Sequence, residues 1–340
     1  MRLLLAVALA LAASAGCANT QPAAQPSKST RPEASPLHDG PLTDFVPSAG
    51  LRWMVVGRPR ELASDPSLGP ALALLLPKER LDAYAQASGM DVRALPSGLI
   101  AGFDHATLYV AEERSDGLKA LERFSERLVA GTKVASPHPK IHRLSGVIGQ
   151  TPETLVRIDG RLIAISVGSS LPARITQLYA LEKLTKSPAV LHGSALRTLP
   201  IRELESAPMR FYAPGPFSGE WTSGARGLLA TATAVGIAAR PAAEGKVAVT
   251  VILSGSFGGE GDASTTVLAA WKDLAESGLG RLLGLDQAAA PSVVASPDSL
   301  RLNVEVLAMP LAQGLRAAVM AEVWEFLDLK GENPAPVPTP

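Results

Sequence analysis

The chain has 340 residues, 32 basic and 32 acidic side chains, no formal net charge and a single cysteine. With the charges balanced and no Lys/Arg cluster, the cationic footprint of a DNA- or RNA-binding protein is excluded. One cysteine excludes intrachain disulfides and cysteine-built zinc or iron–sulfur centres, while 46% hydrophobic residues supply ample material for a core.

The N-terminus reads MRLLLAVALALAASAGC. Arg2 precedes an apolar run from Leu3 to Ala13, and Ser14, Ala15 and Gly16 lead into Cys17. A charged start, a short apolar stretch and a small-residue site form an export signal that is too short to span a bilayer. Ending on Cys17, this segment resembles the lipobox of bacterial lipoproteins, departing at Ser14, where that family usually has Leu. The resemblance implies removal of residues 1–16 and lipidation of Cys17 with three acyl chains, and more than one chain is what stable anchoring requires. With Ala18 after the cysteine, it further implies an anchor in the outer membrane of a Gram-negative bacterium, the folded part lying in the periplasm or at the cell surface. The Ala- and Pro-rich remainder resembles only uncharacterised lipoproteins of such bacteria, and that likeness carries no functional residues.

Residues 17–48 hold the anchor and a Pro-, Ser- and Ala-rich stretch poor in bulky apolar side chains. Such a stretch reads as a disordered tether, with a reach of roughly 30 Å as a flexible coil. Strands are predicted over 51–57, 99–111 and 141–148. A hairpin follows over 153–168 across Asp159-Gly160, a strong turn signal. Further strands are predicted at 209–213, 231–239, 247–253 and 292–307; the alternation of Leu300, Leu302, Val304 and Val306 with polar residues marks a sheet with one wet face.

Between these lie helical patterns. The stretch 60–95 is helical but broken by Pro66, Pro70, Pro77 and Gly89. Asp116–Ala130 carries Leu118, Leu121, Phe124 and Leu128 on one face and stops at Gly131. A third helix follows Pro172 with Ile175, Leu178, Leu181 and Leu184. A fourth is capped by Asp262 and carries Val267, Trp271 and Leu274. The last opens at Pro310 with Leu311, Leu315, Val319, Val323 and Leu327. The expected fold is α+β, in two degenerate halves of antiparallel strands covered by helices. The halves span 49–200 and 201–331, and 332–340 form a Pro-rich tail.

Catalytic signatures are weak. His138 and His142 flank Pro139, and in a strand their rings would stand about 13 Å apart, so they read as solvated loop histidines rather than metal ligands. The glycine-rich run 253–261 matches neither Gly-x-Ser-x-Gly, nor a P-loop, nor a dinucleotide fingerprint, and reads as a strand-to-helix turn. Asp104-His105 sits between two strands in the manner of a general-base pair, although Asp is also an ordinary turn residue. No catalytic residue, metal or cofactor is assigned. One segment, Phe211–Trp221, gathers Phe211, Tyr212, Phe217 and Trp221 among Pro and Gly, and offers either a binding loop or a staple onto the core. The leading expectation is a non-enzymatic, lipid-anchored binding or accessory subunit. It meets the membrane through its lipid and an envelope protein through its folded part, without nucleic acid. The alternatives are a carrier of lipid or another hydrophobic ligand and an unrecognised hydrolase.

Overall fold

The computed structural model describes residues 36–113, 118–136, 138–184, 188–193, 195–219, 224–258 and 260–317. Cys17, the lipobox-like segment before it and the first part of the expected tether therefore lie outside the described residues, as do Trp221, Val319, Val323 and Leu327.

The architecture is α+β. Among the described residues twelve strands form one antiparallel sheet: β1 (Leu51–Gly57), β2 (Gly98–Phe103), β3 (Thr107–Glu112), β4 (Val129–Val134), β5 (Ile141–Ile148), β6 (Thr151–Ile158), β7 (Leu162–Val167), β8 (Met209–Pro214), β9 (Ala232–Ala242), β10 (Lys246–Gly255), β11 (Ser292–Ser296) and β12 (Ser299–Leu307). Their spatial order is β11-β12-β10-β9-β8-β1-β2-β3-β7-β6-β5-β4. The sheet runs unbroken across the boundary expected at residue 200, because β1 and β8 pair in the middle, Met54 opposite Tyr212 and Val56 opposite Arg210.

Strand side chains alternate between the two faces, and here both faces are apolar. On the first, which we call the covered face, Met54, Val56, Leu99, Ala101, Leu108, Val110, Tyr212 and Ile252 merge into a single core. Its cover comes from Leu42, Phe45 and Val46, from the helix Leu171–Ala180, and from Leu191, Leu196 and Leu204 in the short helical turns that follow. On the opposite face there are two larger, separate cores under helices, and a smaller cluster in which Leu68, Ala71, Ala308 and Ala312 pack with Leu62, Leu72 and Val247 of β10. The helix Leu118–Arg127 lays Ala120 and Phe124 on Leu155 and Ile163, and the helix Glu260–Glu276 lays Ala263 and Val267 on Val235, Leu253, Leu300 and Leu302.

Several expectations need correction. The tether does not extend to residue 48: Leu42, Phe45 and Val46 are buried, Thr176 Oγ1 donates to the Phe45 carbonyl at 2.8 Å, and the Arg161 guanidinium lies 5.2 Å from the Phe45 ring centroid. Three apolar residues in five suffice to dock a short segment, although they barely alter the composition of the stretch around them. The helix expected to run to Ala130 ends at Arg127, and β4 follows. That edge strand has no fully buried side chain, hence no period-two signal to find. After Pro172 the helix ends at Ala180 and buries Ala173, Thr176 and Ala180 most deeply, small residues three and four apart that let it approach the sheet closely, while Ile175, Leu181 and Leu184 of the expected stripe pack half-buried on the same core. Asp262 lies within the first turn of a helix that begins at Glu260, so it is not the cap.

Candidate functional site

Midway across the sheet, between the two separate cores, β3, β2, β1 and β8 carry a strip of the open face. Register places Tyr109 opposite Ile100, Ile100 opposite Val55 and Val55 opposite Phe211, a cross-strand row with rungs about 4.8 Å apart. Trp53 and Met209 flank this row, on the same face by alternation. Trp53, Ile100, Met209 and Tyr109 are 37%, 38%, 43% and 44% exposed, unusual for four large apolar side chains in adjacent positions of central strands. The row continues under cover at either end: Tyr109 stands opposite Ile165 of β7, beneath the helix Leu118–Arg127, and Phe211 stands opposite Ile237 of β9, beside the helix Glu260–Glu276.

The chemistry of the strip is uniform. Its positions are Trp53, Val55 and Gly57; Gly98, Ile100 and Gly102; Thr107, Tyr109 and Ala111; Met209, Phe211 and Ala213. None carries a charge. A Cβ at Gly102 would overlap the Trp53 indole, so the missing side chain lets the ring lie flat on the neighbouring strand. From β7 to β9 is five inter-strand steps, or about 24 Å. Allowing for the bulk of the two flanking helices, the free width accommodates one further helix of about 10–12 Å diameter.

Of the aromatic residues singled out in the sequence, the structure places Phe211 on this strip and Tyr212 on the other side of the same strand. Tyr212 is buried in the covered core, and burial pushes its hydroxyl pKa up to about 12, so it does not belong to a binding loop. Phe217 packs into the core beneath the helix Glu260–Glu276 as a staple, and Trp221 lies outside the described residues. Sequence reasoning missed Trp53, Ile100, Tyr109 and Met209. The signal that could have found them is apolarity at both parities: apart from Arg52 and Glu112 near the strand ends, neither face of β1, β2 or β3 carries a charge.

The polar candidates stay dispersed. His138 is buried, a correction to its reading as a solvated residue, and its Nδ1 accepts the Lys140 N–H at 3.1 Å. His142 instead sets its Nε2 3.0 Å from Asp159 Oδ1, a carboxylate shared with Arg157. Asp104 pairs with Arg52. Among the described residues no hydroxyl hydrogen-bonds to His105 or His142, the contact a hydrolase would require. A further cluster went unnoticed in the sequence: His38 Nε2 lies 3.3 Å from Asp44 Oδ2, and His192 Nε2 lies 3.9 Å from Asp44 Oδ1. It borders a surface cavity of about 720 Å³ whose other charged neighbours include Arg197, Arg202 and Glu203. Among the described residues no group of three His, Cys, Asp or Glu side chains has the arrangement to hold a metal ion, and no helix is long and apolar enough to cross a membrane.

Compared with protein-family models, curated proteins and solved structures, the chain matches none.

Proposed function

We propose that the protein is a lipid-anchored lipoprotein of the Gram-negative envelope, exported and held by Cys17. In this reading its folded body is a non-enzymatic accessory subunit that docks an envelope protein on the open strip. The observation that carries the docking reading is the uncharged row Tyr109–Ile100–Val55–Phe211, flanked by Trp53 and Met209, in which Tyr109, Ile100, Trp53 and Met209 are exposed between two helices. Its width and apolarity fit the apolar face of one amphipathic helix, a recurring mode of recognition. The carrier reading is less favoured, because an acyl ligand is ordinarily enclosed over most of its surface and the strip is open.

We further infer that the two halves are degenerate versions of one plan. In the first, β1, β2 and β3 lead through the helix Leu118–Arg127 to strands ending with β7 beside β3. In the second, β8, β9 and β10 lead through the helix Glu260–Glu276 to strands ending with β12 beside β10. The leading strands β1 and β8 meet antiparallel at the centre, as an internal two-fold would require. An experimental structure in which residues 49–200 could not be superposed on 201–331 would remove this inference.

A photo-crosslinking amino acid at Ile100 or Tyr109, in cells carrying the full chain, tests the docking reading. Adducts mapping to apolar positions three and four residues apart in one envelope protein support it. Adducts of lipid mass, adducts to residues 318–340 of the same chain, or no adduct at either site would overturn it.

A further inference from the structure

The sheet has two edges, and they are finished differently. An exposed edge strand offers unpaired N–H and C=O groups to any other strand, and proteins normally blunt such edges with charge, bulges or irregular backbone. At β4 all three devices are present: the register with β5 shifts between Val129 and Thr132, Ala130 has φ 54°, and Lys133 stands on the strand. The other edge, β11, has none of these three and is limited only by its five-residue length and the prolines at its ends. Its sequence is Ser292-Val293-Val294-Ala295-Ser296, regular against β12 throughout, uncharged, and bracketed by Pro291 and Pro297. Among the described residues no strand pairs with its outer side. Val294 is 62% exposed.

The five residues are self-complementary. Turned end for end about Val294, Ser292 meets Ser296, Val293 meets Ala295, and Val294 meets its own copy. The hydrogen-bonding parity agrees. A two-residue turn, Pro297-Asp298, joins β11 to β12 and makes Ser296 and Ser299 a hydrogen-bonded pair, so by alternation Val294 bonds inward to Arg301 while Val293 and Ala295 aim their main-chain groups outward. In the Val294-centred register those two outward-facing residues stand opposite one another, each exchanging both hydrogen bonds. Moving the centre to Val293 or Ala295 would bring a proline into the new ladder. The faces agree as well: Val293 and Ala295 both belong to the core beneath the helix Glu260–Glu276, so the apolar layer of one copy continues into that of the other.

We propose that β11 is a homodimer edge, pairing antiparallel with β11 of a second copy about a two-fold axis at Val294 and joining two sheets into one. Isologous contact of this kind needs a self-complementary patch, and β11 supplies it. The open strips of both copies then face the same side. A five-residue ladder buries less than the ~1,200 Å² typical of stable complexes, so association is weak and concentration-dependent. Pairing through β11 does not depend on what docks on the open strip.

The central Val294 pair would be non-hydrogen-bonded, with Cα atoms about 4.5 Å apart, inside the range a disulfide tolerates. In a Cys17→Ser background of the full chain, Val294→Cys is expected to cross-link under mild oxidation at least about tenfold faster than Ser292→Cys, whose copies would lie about 13 Å apart. Sedimentation velocity of the wild-type protein should show a monomer–dimer equilibrium, and Val294→Lys, which sets like charges face to face at an exposed site, should remain monomeric with unchanged thermal stability. A wild-type protein that stays monomeric into the hundreds of micromolar, a dimer that survives Val294→Lys, or equal cross-linking of the two cysteine variants would each overturn the proposal.

Discussion

The two faces of this sheet are built from much the same residue types and meet different ends. On the covered face a single core crosses from β5 to β10, because the segments 37–46, 171–184, 188–193 and 195–207 lie over the central strands. On the open face the cover comes from two helices over its flanks, with the segment 62–75 packed on Val247 at one end of β10, and it leaves Trp53, Ile100, Tyr109 and Met209 partly exposed. Apolarity in a central strand therefore specifies only that the side chain is available for burial. What buries it depends on the segments packed above, and on the open face that role is left, in our reading, to a partner.

The largest effect that would sharpen this contrast is at the covered face. Phe45→Ala should cost about 3–5 kcal/mol in urea unfolding, since Phe45 is fully buried; a loss within experimental scatter would mean that residues 36–46 are not part of the core. Next comes Gly102→Ala, where the added methyl meets the Trp53 ring. A cost of about 1–3 kcal/mol is expected, with Trp53 more accessible to iodide quenching, and unchanged quenching would argue against the stacked geometry. At the strip itself, Trp53→Ala should cost about 1–2 kcal/mol, less than truncation of a fully buried aromatic, while abolishing adducts from a crosslinker at Ile100; a fall as large as that of Phe45→Ala would mean that the strip is a core surface rather than a docking surface.

The smallest effect lies under the helix at one end of the open face. Burial raises the Glu153 carboxyl pKa, opposed by nearby Arg127. With the folded-state value above the free one, the ionised form is favoured in the unfolded chain, so Glu153 lowers stability at neutral pH and the penalty fades as pH falls below the ordinary glutamate range. Glu153→Gln should therefore raise the melting temperature slightly at pH 7 and leave it unchanged near pH 3. The same gain at both pH values would assign the effect to something other than ionisation.

Much of this fold was legible in the chain. β1 and β5 fall at the bounds read from sequence, and the hairpin across Asp159-Gly160 forms as its turn residues require. These are local properties: side-chain alternation and a turn that needs positive φ, which Gly160 adopts. The four helical regions around 60–88, 118–127, 171–180 and 260–276 were likewise written in spacing, although the buried faces shifted wherever small residues packed closer than leucines.

The candidate site was scarcely legible, because it is made of register. Tyr109, Ile100, Val55 and Phe211 come from four strands, and Phe211 lies 102–156 residues further along the chain than its three neighbours in the row. Only the pairing of β1 with β8 brings Phe211 into line with the others. That pairing and the position of each helix over the sheet were decided by tertiary structure. By itself the sequence determined most element types and turns, wherever periodicity or a turn residue marked them, but not the edge strand β4. It could not say which apolar face would be covered, since alternation marks a side chain's face and says nothing of what packs upon it.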